Sequence, residues 1–312
     1  MDDAREVTLE ELEQKADYEV QLQSLNQWQI AWRRFKRHRM AIVGSTLFLG
    51  MVAIGVLAPI FLPYDPVKIP TPDVRVAAGR PPSVAHLFGE TGRLQRDVLT
   101  LVVNGIRVSL LIGVLASAIG AIIGTLVGGI AGYFGGWLDT ILMRFVDALL
   151  ALPLLFVILA FSQFLGEGHA SWWTITLIFG MFGWLGIARL VRAVMLSLRE
   201  EDYVDAARAA GVGDVRIIFR HLVPNSLSPI IVATTLGVAG VITGEAFVSF
   251  LGFGVDPTQP TLGNILSGSL EFISQGNWWW AFFPGAAIVV IVLGINFMGD
   301  GLRDALDPRS KI

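Results

Sequence analysis

The sequence predicts an all-α integral membrane protein with six membrane-spanning helices and a polar helical element between the fourth and fifth. Three observations carry that expectation. Of 312 residues, 54% are hydrophobic and only 16% charged, with a mean hydropathy of +0.63, whereas a soluble domain carries about a quarter charged residues. Several apolar runs approach the roughly 20 residues needed to cross the ~30 Å hydrocarbon core. Between two of them lies "YVDAARAAGVGDVRIIFRHLVPN", Tyr203 to Asn225, basic, alanine-rich and too polar to cross a bilayer.

The chain opens with "MDDAREVTLEELEQKADYEV", which lacks the basic region and apolar core of a cleavable signal peptide. Thr8 and Glu11 have capping-box spacing, and Leu9, Leu12 and Ala16 recur at helical intervals. Either a helix runs over 8–38 near the membrane, or a frayed tail reaches about residue 25. The segment 1–39 is read as cytoplasmic, with an interfacial helix. The six spans fall at 40–62, 107–132, 141–165, 172–195, 227–250 and 281–302, the core domain covering 107–312.

Lys and Arg near the span ends set the orientation. "RRFKRHR", Arg33 to Arg39, precedes the first span and is expected to stay in the cytoplasm, so six crossings put both termini inside. The coupling loop 197–226 also falls inside, with Arg199, Arg208, Arg216 and Arg220, while 166–171 and 251–280 contain no Lys or Arg. The extracytoplasmic loop 63–106 runs against the rule with Lys68, Arg75, Arg80, Arg93 and Arg96, but the rule weakens in long loops. Prolines at 63, 66, 70, 72, 81 and 82 exclude regular helix there, and 94–106 read as an amphipathic segment leading into span two. Trp172, Trp173 and Trp278–Trp280 fall at outer boundaries, where tryptophan anchors in the headgroup layer.

Gly120, Gly124, Gly128 and Gly132 recur every four residues in span two. This stripe predicts close packing of another helix backbone. Ionisable residues within spans are Asp139, Arg144, Asp147, Glu245 and Asp300. Those near interfaces are expected to be paired structurally; Glu245, toward the outer end of span five, is the candidate for lining a translocation pathway.

Reactive chemistry is sparse. With no cysteine, thiolate metal sites and thiol nucleophiles are excluded. The four histidines are dispersed without HExxH spacing, and no GxSxG occurs. The four lysines, at 15, 36, 68 and 311, form no P-loop, so any ATP hydrolysis belongs to another chain. Neither a cofactor nor a nucleic-acid partner is expected.

Within the polar segment, Asp205 to Ala210 favours helix with little side-chain bulk, and Gly211 permits the reversal of a helix C-cap. Ile217, Ile218 and Phe219 are expected to return the chain to the bilayer surface, with Pro224 opening span five. A short exposed helix held by two spans can dock in a groove of another protein and transmit force.

This segment resembles the cytoplasmic loop of ABC-importer permeases, patterned Glu-Ala-Ala, three residues, Gly, nine residues, Ile-x-Leu-Pro. Asp205, Ala206 and Ala207 fill the triplet, Gly211 the glycine and Pro224 the proline; Asp205, His221 and Val223 depart from the pattern. "RHLVPN" is similar to the dipeptide/oligopeptide importer group, C-type subunit. So, in order, are "FKRHRMAIVG", "APIFLPYDP", "PPSVAHLFG", "AGYFGGWLD", "MRFVDALLALP", "EAFVSFLGFG" and "NFMGDGLRDALDPR". One stretch departs: "FGETGRLQRD" has Gln95 where the family has glycine, and one residue inserted.

The resemblance implies a type I importer permease fold in the cell (cytoplasmic/inner) membrane, without catalytic residues of its own. It implies as partners a second permease subunit, two cytoplasmic ABC ATPase subunits and an extracytoplasmic substrate-binding protein. Tyr203, Asp205, Ala206, Ala207 and Gly211 would contact an ATPase, Arg208 would donate a salt bridge, and Pro224 would position the loop. The expected cargo is peptide. Oligosaccharide or nickel is the alternative on the same machinery; a self-sufficient channel or membrane enzyme is the alternative of another class.

Overall fold

The computed structural model describes residues 27–62, 79–92, 94–164 and 170–307. Helix α1 (Gln27–Arg37) is amphipathic and basic; it meets α2 (Arg39–Phe61) at His38, whose Nδ1 accepts the Ala41 N–H at 3.1 Å as an N-cap. The capping spacing at Thr8 and Glu11 lies outside the described residues. His38 Nε2 also lies 3.3 Å from Asp304, and Arg34 donates to the Asp307 carbonyl at 2.9 Å. The N-terminal basic cluster therefore sits against the far end of the chain, and this is called the basic end of the bundle.

Helix α3 (Val98–Phe134) runs unbroken for 37 residues, so the amphipathic segment expected over 94–106 is largely its first turns. Asp97 caps it, accepting from the Thr100 N–H at 2.7 Å. Helices α4 (Gly136–Leu150) and α5 (Leu154–Phe164) follow, then α6 (Trp172–Leu198) and α7 (Asp202–Ala209). After α8 (Asp214–Ile217) and a π-helical turn, Ile218–Leu222, α9 runs Val223–Phe250, followed by α10 (Leu262–Ile273) and α11 (Trp278–Leu306). Thr261 and Asn264 form a reciprocal capping box at α10.

Among the described residues five helices or helical runs are long and apolar enough to span a membrane, matching spans one, two, four, five and six. The third differs from the single helix expected over 141–165: α4 and α5 bend by 75° across Ala151–Pro153. Pro153 has no N–H to give and its ring disfavours the helical region for Leu152, so the helix stops and restarts.

The glycine ladder packs as its spacing predicts. A Cβ on Gly124 would lie 2.7 Å from Ile187 Cβ, on Gly128 2.3 Å from the Ala188 carbonyl oxygen, and on Gly132 2.6 Å from Met195 Cβ. Without side chains on this face, α3 and α6 approach backbone to backbone and form the most extensive helix pair among the described residues. Helices α2 and α11 cross as closely at Gly44 and Gly294. Helix α6 meets α4 through an apolar cluster, Val146 with Trp184, Leu185 and Ala188, and through ion pairs: Arg192 grips Asp139 with two N–H groups, one at 2.6 Å, and Arg189 pairs with Asp147. These are the structural pairings expected for the two aspartates, whereas Arg144 and Asp300 are exposed.

At the opposite, tryptophan end, Trp279 Nε1 donates to the Glu90 carbonyl at 3.2 Å and holds the loop 79–92 over the bundle. Gln95 adopts a left-handed φ of 47°. The position still requires the conformation that glycine takes freely, at a cost of roughly 1 kcal/mol for a side chain.

Candidate functional site at the basic end

The chain leaves α6 at Arg199, whose guanidinium reaches back to the carbonyls of Gly132 and Tyr133 at 3.3 and 3.4 Å. Helix α7 then begins with Asp202 and Asp205 in its first turn and Arg208 in its last, charges that suit the helix dipole. It ends in a Schellman motif: Val212 N–H donates to the Ala207 carbonyl at 3.0 Å and Gly211 N–H to the Arg208 carbonyl at 2.9 Å. Gly211 has φ of 78°, so the glycine of the motif is a backbone requirement of this reversal. Val212 and Ala207 pack against the same apolar cluster, the hydrophobic contact that accompanies such an end.

Eight residues are too few to hold a helix in water; tertiary contacts hold this one. Val204 is 0% exposed, buried among Tyr133 of α3, Val191 and Met195 of α6, Ile217, Leu222 and Ile230. Tyr133 completes the anchor: its hydroxyl donates to Asp214 Oδ1 at 2.6 Å, and the Arg208 guanidinium lies 5.4 Å from its ring centre. Hydrogen bonding to the Tyr133 side chain is the main cause holding Arg208 above its ordinary pKa, with partial burial opposing it and Asp205, 3.1 Å away, adding to it. The helix is thereby joined to the ends of α3, α6 and α9 together.

The sequence-predicted residues divide by face. Asp205, Ala206, Arg208 and Gly211 are exposed, and Tyr203 is 38% exposed with its hydroxyl 3.4 Å from Asn225 Nδ2. Ala207 is half-buried against the core. Pro224 lies beyond α7, but it does not open a new helix after a loop. The helical run starts at Asp214, well before the expected start of span five at 227. The π-helical turn ending at Leu222, two residues before Pro224, gives room for a ring that would otherwise meet the Arg220 carbonyl. Ile217 and Ile218 consequently turn into the core instead of toward the bilayer surface, and Phe219 alone of the three is exposed. Sequence reasoning passed over Val204 and Tyr133, the two residues that hold the helix in place. Val204 was legible only as one apolar side chain among alanines, and Tyr133 stands some seventy residues earlier in the chain.

Glu245 is elsewhere. It is 1% exposed, its carboxylate accepting from Ser249 Oγ at 2.7 Å and Ser109 Oγ at 3.4 Å. Each serine oxygen in turn accepts a backbone N–H, from Val255 at 3.3 Å and Leu262 at 3.1 Å. The node ties α3, α9 and the start of α10 together. Its neighbours Gly244 and Phe247 line an open groove of about 650 Å³ with Leu236, Gly240, Thr243 and Asn296.

Residues 124–312 match the family described as binding-protein-dependent transport system inner membrane component, and 26–82 match the N-terminal TM domain of oligopeptide transport permease C. The chain belongs to this permease family. It is 38% identical to the dipeptide transport system permease protein DppC of Bacillus subtilis over 94% of this chain and 89% of that protein. It is 39% identical to DppC of Alkalihalophilus pseudofirmus over 94% and 93% of the two chains. A putative peptide transport system permease protein of Brucella abortus is 42% identical over 90% of this chain and 91% of its own. The permease is thus a multi-pass membrane component of an ABC transport system, and the polar helix α7 is a built feature of its basic end.

Proposed function

We propose that this permease is one of two membrane subunits of an ATP-driven peptide importer, and that α7 with its turn, residues 203–211, couples it to a separate ATPase. The observation that carries the reading is the division of α7 into two faces. One face, Val204 with Ala207, is clamped to the inner ends of three long helices; the other offers Ala206, Ala209 and Gly211 with almost no bulk. A helix held by the first face and received in a cleft by the second moves the spans when the cleft moves. The basic end is the cytoplasmic side, favoured by Arg33–Arg39 and by the basic coupling loop. Two cytoplasmic ABC ATPases close around ATP below it, and a substrate-binding protein delivers peptide at the tryptophan end. The transporter alternates because the ATPases bind its two states with different affinity. The open groove beside Gly240 and Phe247 faces the second permease across the pathway, and Glu245 stands behind its wall.

The absence of native cysteine makes the test direct. Ala206→Cys, in the assembled transporter, is expected to cross-link to a P-loop ATPase with a yield that changes when ATP is added. Ala206→Trp is expected to leave insertion and assembly intact while ATP hydrolysis continues without uptake. Normal dipeptide uptake by the Trp variant, or no cross-link in a complex that retains its ATPases, would reject the coupling role. Uptake of oligosaccharide or nickel in place of peptides would move the cargo and leave the machine.

A further inference from the structure

Between α2 and the first half of α3, on the tryptophan side of the bundle, runs a groove of about 540 Å³. Helix α2 contributes Phe48, Val52 and Ile60, spaced at multiples of four residues, and α3 contributes Leu111 and Val114; among the described residues Arg107 is the one charged residue lining it. From Phe48 to Ile60 the walls extend about 18 Å at ~1.5 Å per residue, the depth of one leaflet of a ~30 Å core. The groove is therefore as long as a single acyl chain needs.

Arg107 is exposed and, among the described residues, has no hydrogen-bond or ion-pair partner. An uncompensated guanidinium at membrane depth is costly, so its position requires explanation. The helices meet at Gly55, where a Cβ would lie 3.2 Å from the Arg107 backbone nitrogen. Gly55 is six residues below the end of α2, about 9 Å at ~1.5 Å per residue. Because Cα–Cβ bonds tilt toward a helix N-terminus and that of α3 lies at the tryptophan end, the long side chain extends toward the headgroup layer. Charge, depth and direction all fit a phosphate at the membrane surface with hydrocarbon below it.

We propose that this groove is a binding site for one anionic phospholipid of the outer leaflet, its phosphate on Arg107 and one acyl chain along Val52, Phe48 and Val114. The assignment of leaflet rests on the orientation given above; the site itself does not. The bound lipid would be an annular component held by charge, and would wedge α2 against α3.

The assembled transporter, stripped of lipid and then titrated with phosphatidylglycerol or phosphatidylcholine, is read by native mass spectrometry. Phosphatidylglycerol is expected to be retained in preference. Arg107→Gln should weaken that retention about fivefold, the weight of one basic residue at an anionic surface, while Arg107→Lys keeps most of it. A photoactivatable phosphatidylglycerol on the wild-type complex is expected to label peptides covering 48–60 and 107–114, a readout that needs no variant to fold. Equal retention of the two lipids, unchanged retention in Arg107→Gln, or labelling elsewhere would overturn the site. So would a cross-linker at Leu111 that captures the second permease, since a protein helix would then fill the groove. Loss of the ATPases from the purified complex would instead count against the importer reading, and the lipid preference would still be measurable.

Discussion

Truncating Val204 to alanine removes two carbons from the contact that holds α7 to the bundle. Val204 is 0% exposed and enclosed by Tyr133, Val191, Met195 and Leu222. At ~0.8 kcal/mol for each buried carbon the transfer loss is about 1.6 kcal/mol, and the cavity left behind raises it to roughly 2.5 kcal/mol. An eight-residue helix has little stability of its own, so nearly all of this loss falls on docking. With RT of ~0.59 kcal/mol, the undocked population rises about 15- to 70-fold. Hydrogen exchange in the assembled transporter reads this directly at the Gly211 and Val212 amides, whose bonds to Arg208 and Ala207 close the helix. Their protection is expected to fall by that factor while the amides of α3 and α6 keep theirs, and ATP consumed per substrate moved is expected to rise. Unchanged protection at Gly211 and Val212 would refute the anchoring argument. An equal loss through α3 and α6 would also refute it, because Val204 would then serve the whole fold.

Gly128→Ala places a Cβ 2.3 Å from the Ala188 carbonyl and forces α3 from α6. It is expected to cost roughly 1–3 kcal/mol as an overpacked core, read as a fall in thermal unfolding temperature in detergent, whereas Gly183→Ala, with open space around it, is expected to be neutral. Glu245→Gln turns an acceptor of two serine hydroxyls into a group that also donates. A loss of roughly 1–3 kcal/mol is expected from the mismatched buried partners, and normal stability with altered substrate preference would place the residue on the pathway surface.

Much of this was legible because it is local. Apolar run length and the four-residue glycine period are properties of neighbouring residues, and they gave the apolar spans and a face for close helix packing, though not that the partner on that face is α6. The spacing from Asp205 through Gly211 also announced a helix and its end, since only a left-handed residue closes a Schellman motif without strain. Pro153 is the local signal for the bend in the third span, but it went unread because hydropathy counts run through it.

What the sequence by itself determined is therefore the membrane class, five of the six expected apolar spans and the presence of a small-residue helix between two of them. Only the tertiary structure decided which face of that helix turns inward. Val204 and Tyr133 are 71 positions apart, and their meeting depends on how α3 and α6 are brought together along the glycine face. The same holds for Glu245, whose polar neighbours come from α3 and from the turns around α10, and for Arg107, whose isolation appears only once its surroundings are folded. Side-chain periodicity follows from the backbone of one helix; burial and the pairing of charges are set by the others packed against it.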